Sequence, residues 1–317
     1  MSLKMRLASL SVPSLPIRAA AALMLLAVHS ITGNFVMAKQ AVNLEQRVEQ
    51  AFRAARDNEF DRIGQLPALG PRVAPLLAPY LRDEQADIRR EAVAVLAALG
   101  GESAKPLLVE ALGDQDAEIR ERAARALYVA YQPSALARDK AVGPALRASV
   151  LAGNPSAAGL LLLGYFPDAE NERALREVVD QFGGELTKLS DSGPSVMAAL
   201  PARIALSQLG DREAREALLG VIDGASLAEA EFLLAALRDI DSPTVLHALK
   251  KTLDDEREIA GGLPSGAGPR RRLRDAAVDA FARRLKLKVA FKLHDSRRYS
   301  DEQIAQVRRL IDASLPR

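Results

Sequence analysis

Residues 75–96 read PLLAPYLRDEQADIRREAVAVL and residues 106–127 read PLLVEALGDQDAEIRERAARAL. Set one above the other at an offset of 31, without a gap, ten of 22 positions are identical, including Pro75/Pro106, Leu81/Leu112, Asp83/Asp114, Ile88/Ile119, Arg89/Arg120, Ala92/Ala123 and Leu96/Leu127. A register kept over this length marks an internal repeat, the sign of a stacked architecture. Within each copy the apolar spacing is helical. Leu76, Leu77 and Leu81 share one face of a first helix; Ile88, Ala92, Val95 and Leu96 share one face of a second. The polar stretch 82–86 predicts a turn, with Asp83 placed to cap or brace it. Gly100 closes the second helix, because glycine tolerates the left-handed conformation of a helix end. Such a helical hairpin has one apolar side, which it must stack on a neighbour to hide.

The pattern L-x₄-L-x-D-x₄-I-R-x₂-A-x₃-L holds at every named position from Leu76 and again from Leu107. It resembles HEAT repeats, specifically the short HEAT-like repeats of the phycobilisome-lyase type. The resemblance implies an all-α fold, an α-solenoid of about six helical hairpins. In that family the Asp and the Arg form a ladder of hydrogen bonds between successive units. The resemblance assigns this structural role to Asp83, Arg89, Asp114 and Arg120. Late in the chain Leu273-Arg274, Ala277-Val278 and Phe281 mirror Ile88-Arg89, Ala92-Val93 and Leu96, which adds Arg274.

Between these copies the units diverge. Leu163-Gly164 and Leu209-Gly210 recur as closing pairs, and helical stretches are expected near 140–152, 156–166, 168–182, 195–209, 211–223, 226–239 and 242–254. The count is about six hairpins between 66 and 285, after an opening helix at 43–57. The last hairpin carries an insertion, since Asp83 precedes Arg89 by six residues but Asp255 precedes Arg274 by nineteen. Residues 261–269 hold four glycines and two prolines, which predicts a loop, closed by Arg270-Arg271-Arg272. Residues 285–293 alternate strictly between apolar and mostly Lys positions, the period of a strand, although a helix continuing from 270 is the rival reading. Ser300 to Gln303 reads as a capping box opening a last helix, with Ile304, Val307, Leu310 and Ile311 on one face, placed to cover the end of the final repeat. The domain expectation is a signal peptide at 1–38, a solenoid at 39–285, and a basic segment with a capping helix at 286–317.

The first forty residues have a charged start (Lys4, Arg6, Arg18), an apolar run from Ala19 to Val28, and small residues before Lys39 in Val36-Met37-Ala38. These are the features of a secretory signal peptide cut after Ala38, with an earlier possible cut at Val28-His29-Ser30 and an uncleaved anchor as the alternative. The run is short for a membrane span, which needs about 20 residues. With no Cys, there is no disulfide, no thiolate metal site, no Cys nucleophile and no lipoprotein anchor.

The search for chemistry is negative. There is no P-loop, no G-x-G-x-x-G after a strand, no G-x-S-x-G and no H-E-x-x-H. His247 and His294, neither beside Glu, make a poor metal site. Runs such as Asp254-Asp255-Glu256 read as solvated turns. No cofactor, metal or catalytic residue is therefore expected, and the chain is read as not an enzyme. Charge distribution is the feature above background: residues 269–298 carry eleven Lys/Arg against three acids, and residues 39–268 carry 26 bases against 35 acids. The expected function is an exported interaction scaffold in the periplasm or cell envelope, binding a protein partner and possible anionic envelope surfaces, with no nucleic acid. The alternatives are a lyase- or chaperone-like protein acting on a pigment-bearing or other client, and a membrane-tethered solenoid. The expected contacts are Arg270, Arg271 and Arg272, outside the packed stripe, together with Arg90, Arg122 and Arg125 on the second helices.

Overall fold

The structure, a computed structural model, describes residues 43–259, 270–294 and 297–315. The signal-peptide expectation and the Gly/Pro stretch 261–269 lie outside these residues. The chain divides into two compact units, one ending at Arg62 and one running from Ile63. The first contains helix α1 (43–56), with Val48, Ala51, Phe52 and Ala55 on one face. The second is an all-α solenoid.

In repeat one, three 3₁₀ stretches, Ile63–Leu69, Pro71–Leu77 and Tyr80–Arg82, stand where an α-helix was expected, and α2 (Ala86–Leu99) follows them. Pro67, Pro71, Pro75 and Pro79 recur at every fourth residue. Each lacks an N–H and crowds the carbonyl four residues back, so an α-ladder cannot run through them. Repeat two, with Pro106 alone, keeps its helix α3 (Gly101–Ala111) and continues to α4 (Ala117–Ala130). After a single turn, α5 (Pro133–Leu136), repeat three pairs α6 (Val142–Leu151) with α7 (Ala157–Leu163). Repeat four pairs α8 (Ala169–Glu177), which widens into a π-helical turn at Val178–Phe182, with α9 (Ala199–Gln208). Repeat five pairs α10 (Arg212–Gly224) with α11 (Leu227–Ala235), and repeat six pairs α12 (Pro243–Leu249) with α13 (Leu273–Arg284).

The second helices α2, α4, α7 and α9 pack in series, and α11 packs on α13. Ile88, Leu96, Ile119, Leu127, Leu160, Leu163, Phe232 and Phe281 are buried along this row. Short polar residues start the helices: Asp116, Ser156, Asp168, Asp211 and Ser226 each accept a backbone N–H from the first turn. The last helix, α14 (Asp301–Ser314), opens on the Ser300–Gln303 capping box and packs on α13, burying Ile304, Val307 and Ile311. Gly164 closes α7 as Gly100 closes α2, but the two glycines are needed for different reasons. Gly100 has φ 58°, the left-handed region, whereas Gly164 is right-handed at φ −62°. Its need is space: a Cβ there would lie 2.9 Å from the Ala205 Cα on α9.

Two further readings are corrected. Residues 195–197 are not helical but form β2 (Ser195–Met197), antiparallel to β1 (Leu186–Lys188), with Leu186 opposite Met197. This hairpin sits between the two helices of repeat four; the Ser190–Gly193 turn brings the chain back, and α9 starts only at Ala199. Residues 285–293 are neither strand nor helix. α13 ends at Arg284, the chain bends at Ala290-Phe291, and among the described residues no strand pairs with it.

Candidate functional site

The repeat signature builds a ladder at the hairpin turns. Arg89 donates to both carboxylate oxygens of Asp114 in the next repeat, at 2.8 and 3.1 Å, and to the Asp83 and Glu84 carbonyls of its own turn. The carboxylates brace their turns from within: Asp83 accepts from the Gln85 N–H and Asp114 from the Asp116 N–H. Arg120 bonds the Asp114 and Gln115 carbonyls of its turn, but the turn of repeat three has no aspartate. Its second terminal nitrogen therefore falls on the Gly153 carbonyl at 2.8 Å. Arg274 pairs with Glu256 at 2.5 Å and Asp301 at 3.1 Å, joining repeat six to α14. These residues hold repeats together.

Arg90, Arg122 and Arg125 stand on α2 and α4. Arg122 and Arg125 flank a groove of about 330 Å³ between these helices, lined by Val93, Ala97 and Ala126 and ending at Val129, which is 73% exposed. Their charges are matched within the fold. Arg90 pairs with Asp87, Asp116 and Glu118; Arg122 pairs with Glu118; Arg125 pairs with Glu121 and, at 2.5 Å, with Asp191. The Arg125 guanidinium holds the Asp191 carboxyl below its ordinary value. The groove thus offers apolar contact rather than free positive charge.

Asp191 belongs to the turn of the β-hairpin, which lies against the second-helix row. Thr187 Oγ1 accepts the Ala157 N–H at the start of α7 at 2.9 Å, Val196 is buried, and β2 touches α11. The opposite face leaves Leu186 and Met197 exposed side by side. A second groove, of about 450 Å³, opens between α11 and α13, where Glu231, Arg238, Arg271, Asp279, Arg283 and Arg284 meet. Burial pushes the Glu231 carboxyl up, against the pull of Arg271.

Sequence reasoning missed a polar cluster at the ends of the second helices. Asp239, fully buried, accepts hydrogen bonds from the Tyr128 hydroxyl at 2.5 Å and the Tyr165 hydroxyl at 2.8 Å. Arg238 stands 3.5 Å over the Tyr128 ring and donates to the Tyr128 carbonyl at 2.6 Å. Burial raises the Asp239 carboxyl, and the two tyrosine bonds only partly offset it; both phenols are raised by burial and by the carboxylate. Tyr128, Tyr165 and Asp239 come from repeats two, three and five, so this carboxylate ties together repeats that are not neighbours in sequence. Its oxygens are taken by protein donors, and it acts as a clasp. No motif marked it, because the contact depends on how the repeats curl.

The expectation that Arg270, Arg271 and Arg272 lie outside the packed structure holds only for Arg270. Arg271 pairs with Asp279. Arg272, 9% exposed, bonds both oxygens of Asp275, the Tyr299 carbonyl and Glu256. The physical reason lies in the chain ends around the inserted stretch. Ile259 donates to the Arg271 carbonyl and Leu273 to the Arg257 carbonyl, both at 2.9 Å, and this short antiparallel clip turns both arginines onto α13. Burial opposes the Asp275 carboxylate, but the bonds from Arg272 and the Tyr299 N–H outweigh it and hold it below its ordinary value. Tyr299 is pushed up to about 12, chiefly by burial.

Among the described residues no group of three or more His, Asp or Glu is placed to hold a metal, and no helix is long and apolar enough to cross a membrane. A HEAT-repeat family profile matches residues 73–158, from within the Pro71–Leu77 stretch of repeat one, through repeat two, to the start of α7. Comparison with curated proteins and with solved structures gives no match. HEAT repeats in general mediate protein–protein interactions, through the extended surfaces that stacked helices present.

Proposed function

We propose that the protein is a non-catalytic interaction scaffold that is exported and works in the periplasm or cell envelope. The observation that carries the scaffold reading is the groove between α2 and α4. Val129 is left 73% exposed beside Ala97 and Ala126, on a surface that the stacking of repeats does not use. A solvent-facing apolar edge next to matched ion pairs suits a packed protein contact with a polar rim. The buried carboxylates support the non-catalytic part, since Asp239 and Asp275 are engaged by donors of the fold itself. Export rests on the charged-then-apolar start and Val36-Met37-Ala38.

The experiment is cross-linking in intact cells followed by mass spectrometry, comparing wild type with Val129→Glu. The reading expects one or more proteins to be cross-linked near α2 and α4 and lost in the variant, whose melting temperature stays unchanged. An identical set of cross-links in the variant removes the groove as the contact. A chromophore on the purified protein would replace the scaffold by the pigment-handling alternative.

A further inference from the structure

The positive charge of residues 269–298 divides into two kinds in the structure. Five arginines are spent inside the fold: Arg271 on Asp279, Arg272 on Asp275 and Glu256, Arg274 on Glu256 and Asp301, Arg284 on Asp241, and Arg298 on Glu258. The lysines are not. Lys286, Lys288 and Lys292 are exposed and make no ion pair among the described residues, and the same holds for Arg297.

These lysines form a row. From Lys286 to Leu293 the even-numbered residues are exposed, while Leu287, Val289, Phe291 and Leu293 are partly buried. Three ammonium groups and Ala290 therefore point away from the solenoid. The segment is pinned at both ends. Leu287 donates to the Ala282 carbonyl at 2.9 Å, closing α13. Phe291 lies 5.2 Å from the Tyr299 ring, and the Tyr299 hydroxyl bonds Asp279 and accepts the His294 N–H. Between these pins, among the described residues, the backbone of residues 288–293 makes no hydrogen bond.

We propose that residues 286–293 are a docking edge for an acidic, extended segment of a protein partner. Its carboxylates face Lys286, Lys288 and Lys292, and its main chain bonds the unspent backbone of 288–293. This rests on the scaffold reading and names the chemistry of the partner. Two features select a polypeptide over a lipid surface. The apolar side chains turn toward the solenoid, so no wedge is offered to a bilayer. Unspent backbone donors and acceptors are met by another main chain, as when a peptide adds to an open edge. A second copy of the same segment is disfavoured, because lysine would face lysine.

The test uses the full chain, titrated into a fluorescein-labelled peptide of alternating Glu and Thr and followed by anisotropy. The same titration is run with an alternating Lys-Thr peptide and with phosphatidylglycerol vesicles. Wild type is expected to bind the Glu-Thr peptide, more weakly as salt rises, and to leave the Lys-Thr peptide free. Reversal of all three residues (Lys286→Glu, Lys288→Glu, Lys292→Glu) should weaken binding by about tenfold or more at low salt, because attraction becomes repulsion. Lys140→Glu, at an exposed position in another repeat, should change nothing. The triple Lys→Gln variant keeps the side-chain stems and should also lose affinity, and it carries the test should charge reversal lower the melting temperature. Unchanged peptide binding in both triple variants overturns the proposal. So does capture by vesicles with the same lysine dependence while the peptide stays free, which would make the row a membrane contact. The scaffold reading fails separately, in cells, if no protein is cross-linked at all.

Discussion

Arg120 and Arg272 show that arginine serves this fold mainly through its fork of donors, which reaches carbonyls as well as carboxylates. Arg120→Ala leaves the Asp114, Gln115 and Gly153 carbonyls without that donor, so it should cost about 1–3 kcal/mol. Leu108→Ala, at a fully buried position, should cost about 2–5 kcal/mol. Denaturant melts in which both are silent would remove the repeat packing described for α3 and α4. Arg272→Ser strands a buried Asp275 and should cost about 3–5 kcal/mol. Arg270→Ser, at an exposed position, should stay within about 0.5 kcal/mol. Equal melts for these two variants would contradict the inward placement of Arg272.

Carboxylates shifted up and down by the fold should pull the pH dependence in opposite directions. Asp239 binds its proton more tightly folded than unfolded, so its contribution to stability falls as pH climbs from 3.8 through the raised folded value. Asp211, Asp255 and Asp275 are held below 3.8; their contribution is complete above that value and is lost as pH falls through the lowered ones. Asp239→Asn should therefore flatten the decline toward neutrality and leave the acid loss intact. Urea midpoints measured from below pH 3.8 to neutrality check this, and parallel curves for variant and wild type would exclude the assignment.

Among the elements, glycine positions separate the helices that touch from those that do not. Gly164→Ala forces a Cβ against the Ala205 backbone where α7 meets α9 and should cost about 1–3 kcal/mol. Gly220→Ala, inside α10 with nothing within 4 Å of the new Cβ, should stabilise by about 0.5–1 kcal/mol. Thermal melts of the two variants shifting the same way would contradict the packing of α7 on α9. The order of hairpins was legible in the sequence because each helix writes its own 3.6-residue period and its own cap, as at Ile88–Leu96 and at Ser300–Gln303. What was not legible depends on partners far along the chain. The proline spacing that turns repeat one into 3₁₀ stretches stands in the sequence at Pro67, Pro71, Pro75 and Pro79, but the apolar period of Leu76, Leu77 and Leu81 is the same for an α-helix and masks it. The β-hairpin is three residues a side, too short to show a period, and its position is fixed by Thr187 on α7 and Asp191 on α4. For the candidate site, charge alone could not tell Arg272 from Lys288. Placement of the first on α13 and of the second on an open edge decides which is structural.

For the molecule as a whole, the proposed export predicts that protein taken from its native host lacks residues 1–38. Intact-mass analysis reads this directly, and a species that keeps Met1 and is free in the cytosol sinks the proposal.

The clasp at Asp239 has a consequence for how the chain is made. A solenoid whose units touch only their neighbours can fold unit by unit as it leaves the ribosome. Here Tyr128 is synthesised 111 residues before the carboxylate that its hydroxyl meets. Repeats two to four are therefore complete in sequence yet still missing a buried acceptor while repeat five is being translated. Closing so long a span is slow, so the two tyrosine hydroxyls should find their shared acceptor only late in folding, after residue 239 has joined them.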